Sequence, residues 1–255
     1  MATYLITGAS RGLGLELATQ LTASPESEVG LVFATSRQTN PPKLTDLAAK
    51  TSGRLVAIQL DPNDPASLRA VVEEVERRLQ GRGLDVLVNN VAVMPVTNGK
   101  IEKMEGEDLT DVFHTNVTLT HLVSRAFLPL LRKGNRKAIA NISSTVGSIG
   151  EAASKRMMPT YAYKISKAGM NMLTVQYAQD YEEEGFSVYA ISPGWLRTEL
   201  GGDNADLPVE TGAKEVIRYL RQEGQALNGR FLNIHVPGWE NVPGPNHYDG
   251  KDPAW

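Results

Sequence analysis

Short apolar runs alternate along the chain with segments whose apolar residues recur every three or four positions. The runs at 3–7, 29–35, 55–60, 84–88, 137–142, 186–191 and 230–236 predict seven strands. The run at 84–88 is continuously apolar, as expected of a parallel strand covered on both faces. Leu15, Leu17, Ala18 and Leu21 predict a helix after the first strand. Leu68, Val71, Val72, Val75 and Leu79 predict another, with Asp64 as its cap and Pro65 in its first turn. A long helix is expected over 109–131, with Val112, Phe113, Val117, Leu119 and Leu122 on its apolar side. Further helices are expected over 163–181 and 208–224, the latter with Val216, Ile217 and Leu220 inward. Strands separated by helical segments imply a doubly wound parallel α/β sheet of about seven strands with helices on both faces. Residues 201–207 form a polar, glycine-bearing loop suited to cover a substrate. Residues 237–255 carry Trp239, Tyr248 and Trp255 without periodicity, an irregular tail that either wraps the surface or lines a pocket.

A length of 255 residues allows one or two domains, and with no linker, repeat or low-complexity block the expectation is one domain over 1–255. Hydrophobic residues make up 41% and charged residues 22%, enough for a substantial core. A net charge of −3 gives no reason to expect nucleic acid or another polyanion as partner. The absence of cysteine excludes disulfides and thiolate chemistry. Met1-Ala2-Thr3 begins no signal-peptide pattern, and no apolar run approaches the ~18 residues of a membrane span. A cytoplasmic protein with no membrane association and no metal site is the expectation.

Candidate chemistry gathers at the ends of the expected strands. Gly8-Ala-Ser-Arg-Gly-Leu-Gly14 joins a strand to a helix, so glycine backbone and a helix N-terminus could receive a pyrophosphate. Its G-x-x-x-G-x-G spacing differs from G-x-G-x-x-G, and a tight ligand-free connection is the competing explanation. The second strand ends in Ser36-Arg37, where an acidic residue would bind ribose hydroxyls and an arginine instead accommodates a 2′-phosphate. Arg11 could reach the same phosphate, and the two arginines favour NADP(H). Asp61 closes the third strand, placed either to touch the adenine amino group or to form a turn. Asn89 and Asn90 close the fourth, suited to hold the sheet edge first and the cofactor second. Asn116 interrupts the long helix, suggesting a water site or a kink. Asn141 to Ser144 expose a hydroxyl at the end of the fifth strand, and Tyr163 and Lys167 stand four apart on one helical face. A phenol is a poor proton donor at neutral pH unless a nearby ammonium lowers its pKa. Tyr161 lacks a lysine at that spacing, whereas an exposed Tyr/Lys pair is the ordinary alternative for Tyr163 and Lys167.

Taken in order, Thr7-Gly-Ala-Ser-Arg-Gly-Leu-Gly14, Asp61, Asn89-Asn90, Asn116, Ser144, Tyr163-x-x-x-Lys167 and Pro193-Gly194 to Thr198 resemble the short-chain dehydrogenase/reductase family from about residue 3 to residue 236. Within it, Ser143-Ser-Thr-Val-Gly-Ser-Ile149, Tyr161-Ala-Tyr-Lys-Ile-Ser-Lys-Ala168 and Pro193-Gly-Trp-Leu-Arg-Thr-Glu-Leu-Gly-Gly202 are similar to the C-factor and sniffer type of NADPH-dependent carbonyl reductase. The resemblance implies a Rossmann fold and selects Ser144 over Ser143 through Gly147. It casts Tyr163 as general acid or base, Lys167 as holder of the nicotinamide ribose, and Asn116 as holder of a relay water. Cofactor contacts are implied for Gly8, Ser10, Arg11, Gly12, Leu13 and Gly14, for Ser36, Arg37, Asp61 and Asn90, and for Pro193, Gly194, Leu196 and Thr198, besides Tyr163 and Lys167. The implied reaction is hydride transfer between NADP(H) and a small carbonyl or alcohol, in a homodimer or homotetramer. The rivals are a non-redox isomerase or cyclase, and an NADP-binding regulatory protein. Two departures stand out. Asn89-Asn-Val-Ala92 replaces Asn-Asn-Ala-Gly, adding bulk beside the cofactor path. Ser144 and Tyr163 are 19 residues apart, with 150–160 as an added loop that reshapes the substrate mouth or a subunit contact. Met94, Trp195 and Met157 point to an apolar substrate, a polyketide-like or aromatic carbonyl.

Overall fold

The structure, a computed structural model, describes residues 1–156, 158–242, 244 and 246–255. Seven strands form one parallel sheet: β1 (Ala2–Ile6), β2 (Val29–Ser36), β3 (Leu55–Gln59), β4 (Val86–Asn89), β5 (Ala138–Ile142), β6 (Ser187–Ser192) and β7 (Phe231–Asn233). Their spatial order is β3-β2-β1-β4-β5-β6-β7. The winding reverses between β1 and β4, which opens a crevice at their carboxyl ends.

Strand periodicity divides the core in two. Tyr4, Ile6, Val86, Val88, Ala138 and Ala140 face α1 (Gly12–Ala23), α2 (Pro42–Ala49) and α7 (Val209–Leu220), whose Leu17, Leu21, Leu44, Val216 and Leu220 are fully buried. Leu5, Phe33, Leu87, Ile139 and Val188 face the other way, onto α3 (Pro65–Leu79), α5 (Leu119–Arg132) and α6 (Tyr161–Asp180). The expected cap of α3 is present: the Asp64 carboxylate accepts from the Ala66 N–H at 2.8 Å.

The expected long helix starts earlier and is not continuous. It consists of α4 (Gly106–Phe113), a wider π-helical turn over His114–Thr118, and α5. The extra residue in that turn shifts the helix face, so Phe113 packs across onto Gly169 of α6 and remains 39% exposed. α2 carries a single buried residue, Leu44, too little pattern to mark it as a helix in advance. The last strand is shorter than 230–236. Beyond Asn233 the chain pairs with its own tail: Val236 N–H donates to Tyr248 C=O at 2.8 Å and Gly250 N–H to Ile234 C=O at 3.2 Å.

At the amino end of the sheet one carboxylate joins three segments. Buried Asp85 accepts from the Thr3 N–H at 2.8 Å, the Thr3 hydroxyl at 3.1 Å and the Asn135 N–H at 2.8 Å. Asp85→Ala strips the Thr3 and Asn135 N–H groups of this acceptor, while the Thr3 hydroxyl keeps the Gly83 C=O at 3.1 Å. It is expected to lower stability by about 3 kcal/mol, read as a lower urea midpoint with an unchanged slope.

Candidate active site

The turn after β1 depends on two left-handed glycines, Gly8 at φ 68° and Gly12 at φ 55°. Asn90 holds that turn, its amide donating to Thr7 C=O at 2.9 Å and Gly8 C=O at 3.2 Å. A Cβ on Gly14 would lie 2.5 Å from both the Gly8 carbonyl oxygen and the Asn90 amide nitrogen, so only glycine lets α1 start this close to the turn. Gly14 therefore packs beneath the turn and does not line the cleft, a correction to its expected cofactor contact. Gly8, Ser10, Arg11, Gly12 and Leu13 do line it, in a cleft of about 450 Å³ along the carboxyl ends of the strands. No side chain caps the first turn of α1. Left-handed glycines leading into an uncapped helix start fit the pyrophosphate of a dinucleotide. Val91 adds the bulk expected there: its Cγ2 would be 2.9 Å from a Cβ on Gly8, so it lies directly against the turn.

At the far end of the cleft Ser36 and exposed Arg37 line the wall beside Leu60 and Pro62. Asp61 does not. Its Oδ1 accepts from the Asn63 N–H and side-chain amide, both at 3.0 Å, the contacts of the turn-forming alternative. Arg11 also departs from a purely phosphate-facing role: it makes an exposed ion pair with Glu199 at 3.1 Å, spanning the cleft from the glycine turn to the loop after β6.

The other end holds the expected hydroxyl, phenol and amine. Ser144, Tyr163 and Lys167 line the cleft together, with the Ser144 hydroxyl near enough to the phenol to act on its pKa. Ser143 is committed elsewhere, its hydroxyl donating to Asn171 Oδ1 at 2.6 Å, and Tyr161 reaches away to Gly99 C=O at 3.2 Å. Lys167 Nζ lies 5.4 Å from the Tyr163 ring centroid and donates to the Ile142 C=O at 2.6 Å. Burial dominates the electrostatics. It pushes the Tyr163 phenol up to about 12, opposed only by the Ser144 hydroxyl, and pushes the Lys167 amine down to about 7. Desolvation disfavours both charged forms, and its effect on the phenol outweighs that of the Ser144 hydroxyl.

Asn116 is fully buried and outside the cleft lining. Its Oδ1 accepts from the Val93 N–H at 2.9 Å, while its Nδ2 donates to Val93 C=O at 3.0 Å and Ser166 Oγ at 2.9 Å. The expected kink is present as the π-helical turn. The side chain braces the segment after β4 against α6. Beneath the site a buried chain crosses two strands: Asn89 donates to Ser124 and to Asn141, and Asn141 donates to Thr174, each at 2.9 Å.

The segment after β6 completes the wall. Pro193, Gly194, Leu196 and Thr198 line the cleft as expected, with Gly194 at φ 86° and Thr198 Oγ1 accepting from the Gly201 N–H at 3.1 Å. Met94 and Trp195 also line it, and Met157 lies outside the described residues. Met158, Glu199, Asn246 and Tyr248 also line the cleft; they lie in the 150–160, 195–207 and tail segments expected to shape the pocket, though no pattern in the sequence singled out these residues. Among the described residues no group of three metal-ligating side chains occurs, and no helix is long and apolar enough to cross a membrane.

The family model for short chain dehydrogenases matches residues 2–206. This protein belongs to the short-chain dehydrogenase family. Its fold is shared over the full chain with an NADPH-bound carbonyl reductase from chicken fatty liver, at TM-score 0.85 and 32% identity over 94% of that chain. The carbonyl reductase Sniffer of D. melanogaster superposes at TM-score 0.85 and 28% identity, with 100% of both chains covered. The short-chain dehydrogenase anuI of Penicillium roqueforti is 32% identical over 84% of this chain and 86% of its own length. The family is one of oxidoreductases using a nicotinamide cofactor, consistent with the similarity to the sniffer type seen in the motifs. In this short-chain dehydrogenase the turn, cleft and Ser144–Tyr163 pair occupy the carboxyl edge at which such a fold binds its ligands.

The buried amine gives a pH signature. Unfolded, Lys167 keeps its proton to about 10.4; folded, it loses it near about 7. Unfolding between those values takes up a proton, so the stability this group contributes is complete at the upper end and is lost as pH falls toward 7. Its slope is about 1.4 kcal/mol per pH unit at most. In nucleotide-free protein, the stability advantage of Lys167→Met over wild type is expected to shrink as pH rises from 7 to 10. A difference independent of pH would contradict this.

Proposed function

We propose that this short-chain dehydrogenase is an NADPH-dependent carbonyl reductase acting on a ketone or aldehyde of a small, apolar molecule, with alcohol oxidation as the reverse reaction. The observation that carries the reading is the convergence of Ser144 and Tyr163 on the wall of the cleft that begins at the glycine turn, with Lys167 buried beside them. Bound NADPH would supply the hydride. Ser144 holds the substrate carbonyl oxygen, and Tyr163 gives that oxygen its proton as negative charge develops there. An uncharged phenol is what burial maintains at neutral pH, as a proton donor requires. Lys167, whose amine is poised near about 7, exchanges protons under working conditions and returns one to Tyr163. Asn116 contributes by fixing the Val93 backbone and Ser166.

The preference for NADPH rests on Arg37 at the end of β2, where no carboxylate stands to receive ribose hydroxyls. Arg11 reinforces it, because a 2′-phosphate competes with Glu199 for the same guanidinium. The chicken-liver relative is itself described as NADPH-bound. The apolar character of the substrate follows from Val93, Met94, Met158, Trp195 and Leu200 around the mouth.

Tyr163→Phe is expected to lower kcat by roughly a thousandfold while the Kd for NADPH stays within about twofold. Loss of NADPH absorbance over a carbonyl panel and a fluorescence titration measure the two, and retained turnover would refute the assignment. Arg37→Asp is expected to reduce the NADPH-to-NADH ratio of kcat/KM by at least roughly tenfold, since a charge-assisted contact becomes repulsive. An unchanged ratio would remove the basis for the cofactor preference.

A further inference from the structure

The C-terminal tail reaches the cleft at Asn246 and Tyr248 and binds two segments that frame the substrate mouth. The Tyr248 hydroxyl donates to the Asp206 carboxylate and accepts from the Trp195 N–H at 3.1 Å. The same Asp206 oxygen accepts from the Asn246 amide at 2.8 Å. Trp195 and Asp206 lie at the two ends of the loop that follows β6, so one phenol spans that loop's base. The loop is also closed by its own backbone, with Arg197 N–H donating to Leu207 C=O at 2.9 Å and Leu207 N–H to Trp195 C=O at 3.0 Å. The tail is thus joined to a loop whose two ends are already paired by a parallel bridge. Buried Tyr248 lies on Gly194, where a Cβ would come within 3.3 Å of its ring, and is packed from outside by Trp239 at 5.4 Å. Further along, the tail holds the turn after Ser144: Ser148 donates to Ala254 C=O, and Gly150 N–H to Trp255 C=O at 3.0 Å.

We propose that Tyr248 is a specificity-determining positioning residue, which through Asp206 and the Trp195 amide sets the width of the substrate mouth and selects broad, flat, apolar carbonyl compounds over short aliphatic ones. This rests on the carbonyl-reductase reading above. A half-buried carboxylate receiving two donors from the tail, together with the Trp195 N–H donating to the Tyr248 hydroxyl, ties down the Trp195 part of a lining that also includes Met94 and Met158. A rigid apolar slot rewards a substrate that fills it, and a short aldehyde gains little from it.

The test uses Tyr248→Phe, which keeps the ring and deletes the hydroxyl, with Asp206→Asn and Asp206→Leu as a pair that retains or removes the acceptor. Hydrogen exchange at the Trp195 amide is read without substrate, and kcat/KM is compared for a two-ring aromatic ketone and a short aliphatic aldehyde. For Tyr248→Phe the expected result is faster exchange at Trp195 and a ketone-to-aldehyde ratio lowered roughly tenfold, mainly through KM for the ketone. Asp206→Asn is expected to keep more of that ratio than Asp206→Leu. Unchanged exchange, or equal losses for both substrates, overturns the proposal. A folded wild-type protein that binds NADPH but reduces neither compound overturns the reading of the reaction and the specificity claim with it. The exchange measurement then still decides whether Tyr248 holds the loop.

Discussion

At the carboxyl edge of a parallel sheet each strand runs out of neighbours, and its last backbone groups need partners that the ladder does not supply. In this protein side chains from the following segments meet that need. Asn90 takes the carbonyls of Thr7 and Gly8, Lys167 takes that of Ile142, Asn116 takes both backbone groups of Val93, and Ser192 accepts from the Thr145 N–H at 3.2 Å. The buried chain from Ser124 through Asn89 and Asn141 to Thr174 ties β4 and β5 to α5 and α6. The crevice is open because the winding reverses, and its shape is held because these side chains tie its rim together.

The same burial that fixes the rim sets its electrostatics. An amine and a phenol placed out of water both favour their neutral forms, and the Ser144 hydroxyl opposes this only in part. The phenol is thereby kept as a donor. The exposed Arg11–Glu199 pair, in contrast, is in water, where such a contact contributes little and parts readily. Fixed chemistry at one end of the cleft and an easily opened contact across its middle are compatible with a ligand that must enter and leave.

Most of the strands were legible because a buried parallel strand is a short apolar run and nothing else in the chain resembles one. The Asp64 cap and the Tyr163–Lys167 face were legible for similarly local reasons, fixed by spacing within one turn. What escaped depended on distant partners. Asp61 at a strand end looks the same whether it meets a ligand or its own turn, and only the fold shows its contacts with Asn63. Gly14 reads as a cofactor glycine until the Asn90 amide is seen where its Cβ would go. Asn116 did signal an irregular helix, but Val93 and Ser166, the partners that occupy it, lie 23 and 50 residues away. The effect of burial on the phenol is not legible in spacing, which reports the nearby amine and not the solvent that burial removes. Tyr248 has no pattern around it, since its position is set by Asp206 and not by its neighbours in the chain.

The tail's pairing with 234–236 also bears on how copies of this chain can meet. An outermost strand ordinarily offers a row of free amides and carbonyls on which a foreign strand can continue the sheet. Just past β7 the Val236 amide and the Ile234 carbonyl are already taken by Tyr248 and Gly250 of the same molecule, and Asn233 reaches the His247 carbonyl at 2.6 Å. Extension of the sheet by a neighbour at that stretch would first have to peel this segment away, which guards the protein against edge-to-edge aggregation there.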